Sequence, residues 1–252
     1  MTKASQTYLH QQDSAGRKWL QCHTNRTSRN FADLNELLTY DHSTASEHVD
    51  VEVFFRNLKE RLLEQIAAAD MVIGAVAWIT DLDILAALAQ KETLIVVQKE
   101  DFLRPDLKST LSDSDKAMLQ GAYEALRPFD GRNVPVGPFD QALNPDMLSH
   151  LAPVRCFGYC VPTQMYRIPK MHNKFLAFLQ HDEYYDTYQP KSVWTGSLNL
   201  TAMSLSSLEN AIVIHDPKIA EAYICEAQII YLRSDPLDWK SHWVNPWSTD
   251  SL

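Results

Sequence analysis

Residues 71–98 read MVIGAVAWITDLDILAALAQKETLIVVQ. The first part, MVIGAVAWI from Met71, is a continuous apolar run rich in valine and isoleucine, the pattern of a strand buried on both faces. Thr80 or Asp81 then offers a side-chain cap to a helix over LDILAALAQ, and TLIVVQ from Thr93 is a second buried strand. Strand, short helix and strand make a crossover unit, which joins parallel neighbours in one sheet. The expected fold class is therefore α/β, with a mixed, largely parallel central sheet flanked by helices.

Upstream, residues 51–69 (VEVFFRNLKERLLEQIAAA) repeat their apolar positions at helical spacing and predict one amphipathic helix. Downstream, residues 99–150 carry many acids and Pro105, Pro128, Pro135, Pro138 and Pro145, with one helical pattern from Ser114 to Leu126. That composition predicts an insertion that decorates the sheet. Strand-like runs return in VRCFGYCV, HNKFLAFL, SVWTG and NAIVIH. PKIAEAYICEAQIIYLRS closes as a helix, with Pro217 in the first turn, where proline is tolerated. The expected organisation is a polar, basic segment over 1–48, a main domain over 49–234 and a tail over 235–252 that packs through Trp239, Trp243 and Trp247.

With 252 residues, 45% of them hydrophobic, the chain can bury a sizeable core. Its start lacks the charge and apolar core of a secretory signal, and no apolar run is long enough to cross a bilayer. The expectation is a cytoplasmic protein without stable membrane association. A net charge of -9 excludes a protein that coats nucleic acid indiscriminately. Up to Ala32, however, Lys3, Arg17, Lys18, Arg26 and Arg29 face the single acid Asp13. Such a segment is either an arm that contacts phosphates or a solvated lead-in. Cys22, Cys156, Cys160 and Cys225 are too scattered for a disulfide framework, and Cys156 and Cys160 with His150 do not match zinc spacing. They are expected as buried thiols, with neither metal nor cofactor.

The chemistry-bearing residues fall at strand and turn boundaries in the second half. His172 and Lys174 are two apart, so on a strand their side chains leave the same face and address one ligand. A lysine beside a core needs a partner. In WTGSLNLT, Gly196 permits a tight turn, Ser197 supplies a hydroxyl and Asn199 an amide, and Glu209 and Asn210 open the following strand. One imidazole, one fixed cation, two neutral donors and one carboxylate form a phosphoryl-transfer set. Lys174 and Asn199 would hold non-bridging oxygens, Ser197 would add a hydrogen bond, and Glu209, with Asn210 as competitor, would fix the imidazole tautomer.

H-x-K, then G-S-x-N, then the glutamate of EN resemble the phospholipase D superfamily, and the likeness spans roughly residues 51–234. It is nearest to the bacterial single-motif nucleases of that superfamily. The resemblance implies an α/β sandwich and attack by His172 on a phosphodiester, through a phosphohistidine that water hydrolyses. It also implies phosphate binding by Lys174 and Asn199, support from Ser197 and orientation of His172 by Glu209. The aspartate that the superfamily places five residues after the lysine falls on Leu179, with Asp182 nearby.

A metal-independent nuclease acting on DNA or RNA is the leading expectation. Hydrolysis of a phospholipid or small phosphodiester, or phosphate binding without turnover, are the alternatives. The chemistry needs two histidines, yet the other eight, His10, His23, His42, His48, His150, His181, His215 and His242, all lack a lysine two residues on. A homodimer with one composite site at its twofold axis meets that need.

Overall fold

The computed structural model describes residues 44–45, 50–99, 103, 111–129, 151–157, 170–237 and 239. Among them lie strands β1 (Thr44–Ala45), β2 (Val51–Phe54), β3 (Met71–Val76), β4 (Glu92–Gln98), β5 (Val154–Phe157), β6 (Lys174–Asp182), β7 (Thr187–Gly196), β8 (Ala211–Ile214) and β9 (Asp235–Pro236). The helices are α1 (Leu58–Ala68), α2 (Leu82–Leu88), α3 (Asp113–Glu124), α4 (Ala202–Leu205) and α5 (Pro217–Leu232). The strands form one sheet in the order β1-β2-β8-β7-β6-β3-β4-β5-β9.

The crossover unit is present. Asp81 caps α2, its carboxylate accepting from the N–H groups of Asp83 and Ile84, and β3 pairs parallel with β4. The sheet is mixed and flanked by helices, as expected, but it is not largely parallel. Only β3–β4 and β4–β5 run parallel, and every other pairing is antiparallel. The reason is connection length. Glu183–Asp186 joins β6 to β7 as a tight turn, which admits only antiparallel pairing. There the Asp182 carboxylate accepts from the N–H groups of Tyr184 and Tyr185, and Asp186 takes the left-handed conformation (φ 51°).

Two further expectations are corrected. Residues 51–69 are not one helix: Val51–Phe54 alternate as a strand paired with β8, and Asn57, at φ 54°, breaks the chain before α1. Within 99–150, the described helix α3 is core rather than decoration. Leu119 and Tyr123 are buried with residues of α1 and α2, and the Tyr123 hydroxyl donates to the Ile79 carbonyl at 2.8 Å. This segment thus contains the crossover that lets β5 lie parallel to β4.

Strand alternation divides the core between the two faces of the sheet. Val72, Val76, Leu176 and Phe178 pack with Leu62 and Ile66 of α1, with α2 and with α3. Met71, Ile73, Ala75, Phe175, Ala177 and Leu179 pack with Ile224, Ala227 and Tyr231 of α5. Helices on both sides of one sheet make a three-layer sandwich. Trp239 of the tail packs as expected, edge-on to Tyr123 with ring centroids 5.8 Å apart. Among the described residues no helix is long and apolar enough to cross a membrane. The basic N-terminal segment up to Ala32, His150, Cys22, Cys160, Trp243 and Trp247 lie outside the described residues.

Candidate active site

Sheet register brings the two motif segments together. Val76 at the end of β3 pairs with Lys174 at the start of β6, Phe175 pairs with Thr195, and Gly196 at the end of β7 pairs with Ala211 at the start of β8. Four adjacent strands thus begin or end at one edge, where loops are free to carry side chains toward a ligand.

His172 lies just before β6 rather than within it, and main-chain anchors fix it on both sides. Met171 is buried and its N–H donates to Gln98 Oε1 at 2.9 Å, while the Asn173 carbonyl accepts from the Ala77 N–H at 2.8 Å. Between these anchors the imidazole is exposed. Lys174 Nζ sits 3.1 Å from its Nδ1 and 3.2 Å from its Nε2, and donates to the His172 carbonyl at 3.1 Å. The expected meeting of the two side chains therefore holds, although only Lys174 belongs to the strand. Desolvation, then the charges of Lys174 and Lys170, push the imidazole below its ordinary range, which favours its neutral form. Desolvation also lowers Lys174, and the Glu209 charge opposes that shift.

The Ser197–Leu200 turn is held by apolar pegs. Leu198 and Leu200 are buried, so Ser197 is exposed and Asn199 half-buried between them. The Leu200 N–H donates to the Trp78 carbonyl at 3.0 Å, which ties this turn to the end of β3. Ser197 and Asn210 exchange two bonds at 3.1 Å, N–H to carbonyl one way and N–H to Oγ the other. Neither candidate at EN bonds the imidazole among the described residues: Asn210 engages Ser197 through its main chain, and the Glu209 carboxylate accepts from the Ser197 hydroxyl rather than from His172. Glu209 thus engages Ser197, while His172 has Lys174 as its hydrogen-bond neighbour among the described residues. Asn199 Oδ1 is buried with no hydrogen-bond partner among the described residues. A half-turn of that amide presents its NH2, a donor to a phosphate oxygen.

No family model matches the chain. An uncharacterized protein of Acanthamoeba polyphaga mimivirus is 29% identical over 224 residues, a match covering 84% of this chain and 75% of that protein. Among solved structures, the phospholipase D family member Nuc from Salmonella typhimurium is 19% identical, with 76% of this chain and 99% of Nuc covered and a TM-score of 0.44. NucT from Helicobacter pylori is 13% identical, with 74% and 98% covered and a TM-score of 0.47.

Leu179, where the resemblance would place an aspartate, is fully buried in β6. Asp182 ends that strand and accepts from the N–H groups of Tyr184 and Tyr185. One residue beside the imidazole escaped sequence reading. Trp78 lies edge-on to His172, with ring centroids 5.4 Å apart and planes at 77°. In MVIGAVAWI it read as one more buried strand residue, yet β3 ends at Val76.

Gly196 has a steric rather than a chemical role. A Cβ there would lie 2.2 Å from the Asn210 carbonyl oxygen and 2.8 Å from the Ala211 Cα. Gly196→Ala is therefore expected to cost about 3 kcal/mol in denaturant unfolding, the upper range for forced overpacking. An unchanged midpoint would show that the β7–β8 contact gives way freely.

Proposed function

We propose that this protein is a metal-independent phosphodiesterase, a nuclease that hydrolyses DNA or RNA through a phosphohistidine at a site shared by two copies. The observation that carries this reading is the Lys174 ammonium held within 3.2 Å of both nitrogens of the His172 imidazole, whose surroundings lower its affinity for a proton. A neutral ring nitrogen attacks phosphorus, a P–N bond forms, and the P–O bond to the leaving group breaks. A second, protonated imidazole gives its proton to the departing oxygen. That imidazole then takes a proton from water, whose oxygen attacks phosphorus and displaces His172. Lys174 and Asn199 offset charge on the non-bridging oxygens, with the Ser197–Glu209 pair beside them.

The second imidazole has no source nearby among the described residues. His181 pairs with Asp186 at the far end of β6, and His215 follows β8 at the end remote from Gly196, paired with Glu52. Support for a second copy comes also from the segment that joins Asn199 to Glu209, where Met203 is 82% and Leu208 69% exposed. Apolar side chains in that position suit a twofold contact that would bring two His172 residues together.

Purified protein given plasmid DNA, RNA and phospholipid vesicles in excess EDTA is expected to cut nucleic acid and leave the lipid intact. The rate should fall on both sides of an optimum. On the acid side His172 gains a proton and can no longer attack. Since its surroundings lower its affinity for that proton, the acid limb should have its midpoint below the ordinary value of about 6.5. On the alkaline side the second imidazole loses the proton that the leaving oxygen requires, and the two titrations belong to the pair. Strict dependence on added Mg²⁺ or Zn²⁺ would overturn the proposal.

A further inference from the structure

We infer that Trp78 is a positioning residue for His172, holding the imidazole in its attacking orientation in place of a carboxylate partner. The inference rests on the nucleophilic role proposed for His172. A histidine that attacks through one nitrogen needs its ring rotation fixed, and hydrogen bonding alone does not achieve this here. Lys174 Nζ lies almost equally far from Nδ1 and Nε2, so although it can donate only to the unprotonated nitrogen, its position does not select which one that is. Glu209, the natural orienting group, accepts from Ser197 instead.

The indole supplies the missing constraint. An edge-to-face contact at 5.4 Å and 77° is a favoured aromatic geometry, because the positive edge of one ring meets the negative face of the other. Turning the imidazole about its long axis would break that contact. The indole can act as a reference because its main chain and that of the preceding Ala77 are tied to the two motif segments. The Ala77 N–H bonds to Asn173 on the imidazole side, and the Trp78 carbonyl accepts from Leu200 on the Asn199 side. Ile79 continues this tie as a parallel bridge to Leu200. Trp78 thus relates the position of the nucleophile to that of the phosphate-binding turn, although its side chain contributes no proton and no charge. The charged groups acting on the imidazole are Lys174 and Lys170, and Glu209 acts on Lys174.

Trp78→Ala and Trp78→Phe test this by steady-state kinetics together with NMR titration of the His172 ring protons in the full-length protein. For Trp78→Ala, kcat should fall about tenfold, the size of effect that an aromatic pair can supply, with KM changed less than twofold. The His172 titration should move up toward its ordinary value as water reaches the ring. Trp78→Phe should restore most of both, since a phenyl ring keeps the edge-to-face contact. If a folded Trp78→Ala protein retains the wild-type kcat and His172 titration, the inference is wrong. A rise in KM at unchanged kcat would equally overturn it, making Trp78 a substrate contact. Should the wild-type protein hydrolyse nothing, the nuclease reading fails, and the titration alone then decides whether Trp78 positions His172.

Discussion

A His172→Asn protein is expected to lose hydrolysis altogether while keeping its fold. The loss should be on the order of 10⁵-fold or more, as for removal of a nucleophile on which every later step depends. The asparagine amide nitrogen is not basic and forms no covalent bond to phosphorus, so no slower version of the same route is left. The fold should be indifferent because the imidazole is exposed and the local chain is held by main-chain anchors at Met171 and Asn173, which the substitution leaves in place. Circular dichroism and thermal unfolding close to wild type, together with absent product, are the expected pair of results. The same variant also tests the shared site. Mixed in excess with active protein under exchange conditions, it should depress the remaining activity through heterodimers that lack one imidazole. Wild-type hydrolysis by a folded His172→Asn protein would end the proposed mechanism, and a fully active monomer in sedimentation would end the shared site.

Legibility in the sequence followed burial. The unit from Met71 to Gln98 could be read because both strands are buried on two faces, so hydrophobic pattern alone marks them. VEVF at 51–54 could not, because four alternating residues joined directly to a helical pattern satisfy both periods, and only the partner β8 makes them a strand. Strand direction was legible only where a helix intervened. The largely parallel expectation extended β3–β4 to strands whose connections it had not weighed. At the site, His172, Lys174, Ser197 and Asn199 were visible as a pattern, and the register of β3, β6, β7 and β8 brings their segments to one edge. The partners of these residues were not visible. That Glu209 engages Ser197, and that Trp78 lies against the imidazole, depends on where Ala77 and Leu200 tie the end of β3 to two distant loops. No local periodicity encodes such contacts.

Lys174→Ala should lower the rate by about 10³-fold, the loss that follows removal of one preorganised charge from a transferring phosphoryl group. The ammonium has two effects that add. In the proposed mechanism it offsets charge on the non-bridging oxygens as the transition state develops, and after desolvation its charge lowers the proton affinity of the neighbouring imidazole. The second effect gives the variant a signature beyond its slowness. Without the Lys174 charge, His172 binds its proton more tightly, so the acid limb of the rate profile must move to higher pH. Burial still lowers the imidazole, which sets a limit: the limb should approach its ordinary position without passing it. Lys174→Met separates charge from packing, because methionine retains most of the half-buried aliphatic stem and lacks the ammonium. If charge is the cause, Met and Ala variants should be equally slow and equally displaced in pH. Lys174→Arg keeps the charge but spreads it over a planar fork that cannot sit between two ring nitrogens, so it should recover part of the rate and little of the geometry. A Lys174→Met protein with the wild-type rate and an unmoved acid limb would show that this lysine serves the strand and not the phosphate.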